Sequence, residues 1–97
     1  MRLSEHEQQA IREIVRREDP SAAIYLFGSR LDDDRKGGDI DLYLETDVDS
    51  ELLGLKTRIL SRLWEQLGPQ KIDLLIHRRH TPRTPFETEI HRAGKLL

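Results

Sequence analysis

Residues 39–45 read Asp-Ile-Asp-Leu-Tyr-Leu-Glu. This stretch restricts the fold more than any other. In a strand, successive side chains leave opposite faces. Ile40, Leu42 and Leu44 therefore share one face, and Asp39, Asp41 and Tyr43 share the other. The apolar face demands a packed layer beneath the sheet. The other face carries two carboxylates side by side. Three more aspartates, Asp32, Asp33 and Asp34, stand just before it. Crowded carboxylates repel one another unless something neutralises them.

The surrounding chain supplies the packed layer. Ser4 with Glu7 three residues later forms a capping box. Ala10, Ile11, Ile14 and Val15 follow at helical spacing, which predicts a helix from about Ser4 to Arg17. Asp19-Pro20 stops it. Ala22 to Phe27 is a short apolar run, read as a buried strand. Leu31 to Gly38 is polar and reads as a loop.

Asp47 to Ser50 offers caps for a second helix. Its stripe of Leu52, Leu55, Ile59, Leu60, Leu63, Trp64 and Leu67 ends at Gly68-Pro69. Lys71 to Ile76 reads as a third strand, with Ile72, Leu74 and Ile76 on one face and Asp73 on the other. His77 to Pro85 is a basic, Pro-broken loop. Phe86 to Arg92 is a short helix, and Lys95 to Leu97 an edge strand. The expected class is α+β, a short mixed β-sheet with helices packed on one face. With 97 residues, one domain over 1–97 is expected.

Charge divides the chain. Residues 1–51 carry a net of -7, and residues 52–97 a net of +5. An acidic half beside a basic half reads first as ordinary solvated helix and loop charge, and second as a metal site next to an anion-binding surface. There is no cysteine, which fits a reducing interior. No apolar signal core or membrane-length apolar run is present, so a soluble, cytoplasmic protein with no membrane partner is expected. A chain this short buries only a modest core, so a partner is expected to supply part of its surface.

The acidic stretch has a chemical reading. Asp39 and Asp41 lie two apart on one strand face, and Asp73 follows on a later strand. Together they supply the oxygen ligands that Mg²⁺ prefers. Three such carboxylates suit a pair of metal ions. Gly28-Ser29 ends the first strand. There a glycine lets backbone N–H groups approach a phosphate, and the serine hydroxyl adds a donor.

Competing motifs fail. An EF-hand loop begun at Asp32 puts Lys36 fifth and Tyr43 twelfth, where a bidentate Glu is needed. Neither a Walker nor a Rossmann glycine pattern occurs. His77 and His80, without cysteine, make a poor zinc set. That basic loop reads as solvated surface first, and as an anion contact to RNA or triphosphate second.

Leu-Phe-Gly-Ser-Arg, then Gly-Asp-Ile-Asp-Leu-Tyr-Leu, then a helix and Lys-Ile-Asp-Leu-Leu-Ile resembles the DNA polymerase β-type nucleotidyltransferase superfamily. More narrowly, it resembles the minimal nucleotidyltransferase (MNT) group. The resemblance runs from about Ile24 to Ile76. It implies a polymerase β-like fold and ATP as substrate. It implies that Asp39, Asp41 and Asp73 bind two Mg²⁺ ions, with Asp73 helping to deprotonate the acceptor. Gly28 and Ser29 would hold the β- and γ-phosphates, and Arg30 would face phosphate.

One departure stands out. The group often continues Gly-Ser-Arg-x-Arg-Gly, where this chain has Leu31-Asp32-Asp33. Asp32 to Asp34 thus offer an acidic contact for a partner. MNT proteins commonly pair with HEPN-domain RNase toxins as antitoxins. The resemblance therefore implies a type VII-like toxin–antitoxin pair, with transfer of AMP to a toxin tyrosine and release of pyrophosphate. Two alternatives stay beside it. One is a binding module that neutralises a HEPN protein by complex formation. The other is an RNA-directed nucleotidyltransferase.

Overall fold

The computed structural model describes residues 2–31 and 38–97. Among the described residues, three helices and a four-stranded mixed sheet make an α+β domain. The order is α1 (Glu5–Glu18), β1 (Ala23–Phe27), a 3-10 turn (Gly28–Leu31), β2 (Ile40–Thr46), α2 (Leu52–Leu67), β3 (Ile72–Arg78), α3 (Pro85–Ala93) and β4 (Lys95–Leu96). The sheet runs β3-β2-β1-β4. β1 is antiparallel to β2 and β4, while β2 and β3 are parallel. A parallel pair needs a crossover, and α2 is that crossover. Among the described residues no helix is long and apolar enough to cross a membrane.

Each helix begins and ends for a local reason. Ser4 Oγ accepts from Glu7 N–H at 3.1 Å, and Glu7 Oε1 accepts from Ser4 N–H at 3.0 Å. These bonds satisfy donors that the first turn leaves orphaned. Thr84 and Glu87 repeat the device at α3, with Pro85 as the first helical residue. α2 differs from expectation. Its cap is none of Asp47 to Ser50 but Glu51, which makes no side-chain cap bond and is left-handed at φ 60°. Gly68, at φ 85°, ends α2 as the sequence predicts.

α1 and α2 pack on the face of the even-numbered strand residues. Ile11, Ile14, Val15, Leu55, Ile59 and Leu63 meet Ile24, Leu26, Ile40, Leu42, Leu44, Ile72 and Leu74 in one core. Glu18 fastens the two helices from outside, accepting from Arg58 at 2.9 Å and Arg62 at 2.8 Å.

The single helical face holds for these two helices only. α3 crosses the opposite face. Phe86 meets Phe27, Glu87 meets His77, and His91 meets Tyr25. Much of the face read as polar is therefore covered. Tyr43 has no exposed surface, and Glu45 and His77 are buried.

A charge under a helix needs partners. Glu45 accepts from Arg83 Nε at 2.6 Å and Nη2 at 3.0 Å, and from the Tyr43 hydroxyl at 2.8 Å. Arg83 in turn holds the Glu45 carboxyl down to about 2, against the opposing effect of burial. The basic segment after β3 is likewise knitted in. β3 continues to Arg78, and His77 Nε2 donates to the Thr81 carbonyl at 2.9 Å. Arg79 reaches Asp47 at 2.6 Å and the carbonyls of Ser21 and Glu45. Arg78, Arg79 and His80 stay open to solvent.

Candidate active site

The site is assembled by register. Asp41 faces Phe27 across β1–β2 and Asp73 across β2–β3. Three strands thus place Phe27, Asp41 and Asp73 in one row, and cross-strand partners project from the same face. The two aspartates are 32 positions apart in sequence, and only the parallel crossover brings them together. β3 is an outer strand, so Asp73 stands at the free edge of the sheet, exposed.

The electrostatics are those of an unneutralised acidic pair. Burial pushes the Asp41 carboxyl above its ordinary range. The Asp73 charge adds to this, as do a hydrogen bond between the two carboxyl groups and the Asp39 charge, while Lys71 opposes it.

Asp39, just before β2, turns to Lys71 instead, at 3.5 Å. Both members of that ion pair are solvent-exposed, so it is worth under about 1 kcal/mol. Its release costs little. Among the described residues no group of three His, Asp or Glu side chains is gathered to hold a metal. The donors nonetheless suit a hard divalent cation. They are all carboxylate oxygens, and a cation would offset the crowding felt at Asp41. Asp39 would have to leave Lys71 to join them as a third ligand.

Gly28 closes the site from β1. Its φ is 77°, a left-handed conformation that favours glycine. A Cβ there would lie 2.3 Å from Asp41 Oδ2 and 3.1 Å from its Cγ. The glycine is thus required twice, by the turn and by the carboxylate seated against it. Its backbone opens the 3-10 turn through Ser29 and Arg30. The Ser29 side chain and the acidic Asp32 to Asp34 lie outside the described residues.

The expectation of a phosphate contact at Arg30 meets a guanidinium already engaged. It donates to the carbonyls of Arg2 at 2.6 Å and Gly38 at 3.1 Å, and to Gln70 Oε1 at 3.3 Å. Its buried Nε has no partner among the described residues. Arg2 N–H returns a bond to the Arg30 carbonyl at 2.7 Å. Arg30 thereby ties the turn, the end of the loop and the N-terminal segment together.

The structure therefore sets Asp41 beside Asp73 and Gly28, while Asp39 is paired with Lys71. Sequence reasoning passed over Lys71, although it sits two residues before Asp73. It also passed over Phe27 and Phe86. Phe27 was detectable as the last residue before Gly28, but nothing local linked Phe86 to it.

A family model described as Polymerase beta, Nucleotidyltransferase matches residues 9–97. No curated protein matches the chain.

Proposed function

The chain belongs to the polymerase β nucleotidyltransferase family, and from its paired carboxylates we propose that it transfers AMP from ATP to a protein hydroxyl. The acceptor in this reading is a tyrosine of a cognate HEPN RNase toxin. The domain then acts as an MNT-type antitoxin in a hetero-oligomer, a type VII-like pair. The observation that carries the reaction is the Asp41–Asp73 register pair seated against Gly28.

Asp39, Asp41 and Asp73 would hold two Mg²⁺ ions. When bound, these supply charge neutralisation for the triphosphate and lower the pKa of the attacking hydroxyl. The backbone of the Gly28–Ser29 turn would receive the β- and γ-phosphates. Arg30 keeps that turn in place through its bonds to Arg2 and Gly38. Asp73 takes the acceptor proton at its carboxylate oxygen. The hydroxyl oxygen bonds to the α-phosphorus, the α–β phosphoanhydride bond breaks, and pyrophosphate leaves. Catalysis is then mainly positioning and charge stabilisation. The exposed edge beside Asp73 suits a bulky protein acceptor.

One observation favours neutralisation by binding alone. Leu53, 78% exposed, and Leu75 line an apolar groove along the outer strand β3. The test is transfer of label from α-labelled ATP with Mg²⁺, with and without a HEPN protein, using wild type and Asp39→Asn/Asp41→Asn. Label on the HEPN protein with wild type alone is the expected result. Stable co-purification with no label on any component would replace transfer by sequestration.

A further inference from the structure

The row Phe27–Asp41–Asp73 has two different ends. Asp73 stands at the free edge of β3. At the other end Phe86, from the first turn of α3, meets Phe27 edge-on, with ring centroids 6.0 Å apart and planes at 84°. Phe86 is 59% exposed.

This ring is held from behind. Glu87 caps α3 through Thr84 and also meets His77 Nδ1 at 3.2 Å, while Arg83 anchors the preceding residues on Glu45. The structure thus holds an apolar ring beside an acidic site with one side open to water.

We infer that Phe86, backed by Phe27, is the stacking surface for the nucleobase of the substrate nucleotide. This rests on the nucleotidyltransferase reading given above. Phosphates drawn to the Asp41 end leave the base one ribose away. Phe27 lies one strand spacing, about 4.8 Å, from Asp41, with Phe86 just beyond it. The spans are of the same order. The acceptor, which yields its proton to Asp73, approaches from the opposite end of the row. The ring therefore serves the nucleotide and not the acceptor. A phenyl face offers no hydrogen-bonding edge, and stacking is tolerant of base identity. Phe86 accordingly supplies affinity for ATP and GTP alike.

Calorimetric binding of ATP, GTP and inorganic tripolyphosphate, each with Mg²⁺, tests this on wild type, Phe86→Ala and Phe86→Trp. Phe86→Ala is expected to weaken ATP and GTP about tenfold, within the range known for base–aromatic stacking. Tripolyphosphate binding stays unchanged, and Phe86→Trp restores both nucleotides. Unchanged ATP binding in Phe86→Ala overturns the inference. So does equal weakening of tripolyphosphate, which would mark a distorted phosphate site. A higher KM for the acceptor with nucleotide binding intact reassigns the ring to the acceptor and overturns it too. If wild type binds neither ATP nor tripolyphosphate, the nucleotidyltransferase reading itself fails, a result distinct from the others.

Discussion

Replacing Gly28 by alanine puts a methyl group into space that Asp41 occupies. The added Cβ would sit 2.3 Å from Asp41 Oδ2, against a comfortable separation of about 3.5–4.0 Å. Two costs follow. A left-handed backbone at φ 77° carries a penalty of about 1–2 kcal/mol for an L-residue with a side chain. The steric conflict is relieved differently, because the clashing atom is the end of a side chain. Asp41 turns aside and the strand stays. Gly28→Ala should therefore fold, with Tm lowered by roughly 5–15 °C. Transfer should fall about a hundredfold or more, since an ångström of misplacement at a reacting centre has that effect. Gly94→Ala is the control. There the new Cβ meets the carbonyl oxygens of Ile90 at 2.6 Å and Leu26 at 3.1 Å, which are backbone atoms unable to rotate away. It should lose more stability, but less transfer per folded molecule. The assay is initial-rate transfer from α-labelled ATP at a temperature where thermal melts show both variants folded. A Gly28→Ala rate equal to wild type would refute the claim that this glycine sets the carboxylate.

Three further outcomes are expected. A carboxyl held above its ordinary range destabilises the fold when charged, so without Mg²⁺ stability should fall as pH rises through the raised Asp41 range. Asp41→Asn should abolish that fall in Tm, raise Tm in metal-free buffer and remove the stabilisation by Mg²⁺ seen in wild type. Glu45 has the opposite sign. Its carboxyl titrates near about 2 when folded, against an ordinary value of 4.5, so its contribution persists above the ordinary range and is lost as pH falls toward 2. Arg83→Ala should strand this buried carboxylate and lower the midpoint of urea unfolding without changing its slope. Glu51→Gly should raise stability by about 0.5–1 kcal/mol without touching transfer, since it relieves the left-handed strain at the α2 cap.

The even-numbered face of the sheet was legible because burial against α1 and α2 imposes a period of two. Ile40, Leu42, Leu44, Ile72 and Leu74 announce it. The carboxylates were legible because Asp39 and Asp41 keep that same period and Asp73 sits on the matching phase of the next strand. The odd face misled. Tyr43, Glu45 and His77 look polar, yet α3 returns over them. The partners that permit their burial are distant in sequence, Arg83 being 38 positions from Glu45. No local pattern encodes such a pairing. The same holds for Gly28 against Asp41 and Lys71 against Asp39, which are contacts made by strand register and loop ends. Glu51 as a cap was hidden for another reason, since its role lies in a backbone angle that its residue type disfavours.

The parallel β2–β3 pairing also bears on how fast the chain folds. β1 and β2 meet by a local return, but β3 can join only after the whole of α2 has been traversed, a slow kind of closure. That docking sets Asp41 against Asp73, so like charge opposes the pairing of β3 with β2. A divalent cation collected there acts on the transition state as well as on the finished fold. The refolding arm of a chevron plot should then rise with Mg²⁺ at unchanged slope, and asparagine at either position should make folding faster and indifferent to the ion.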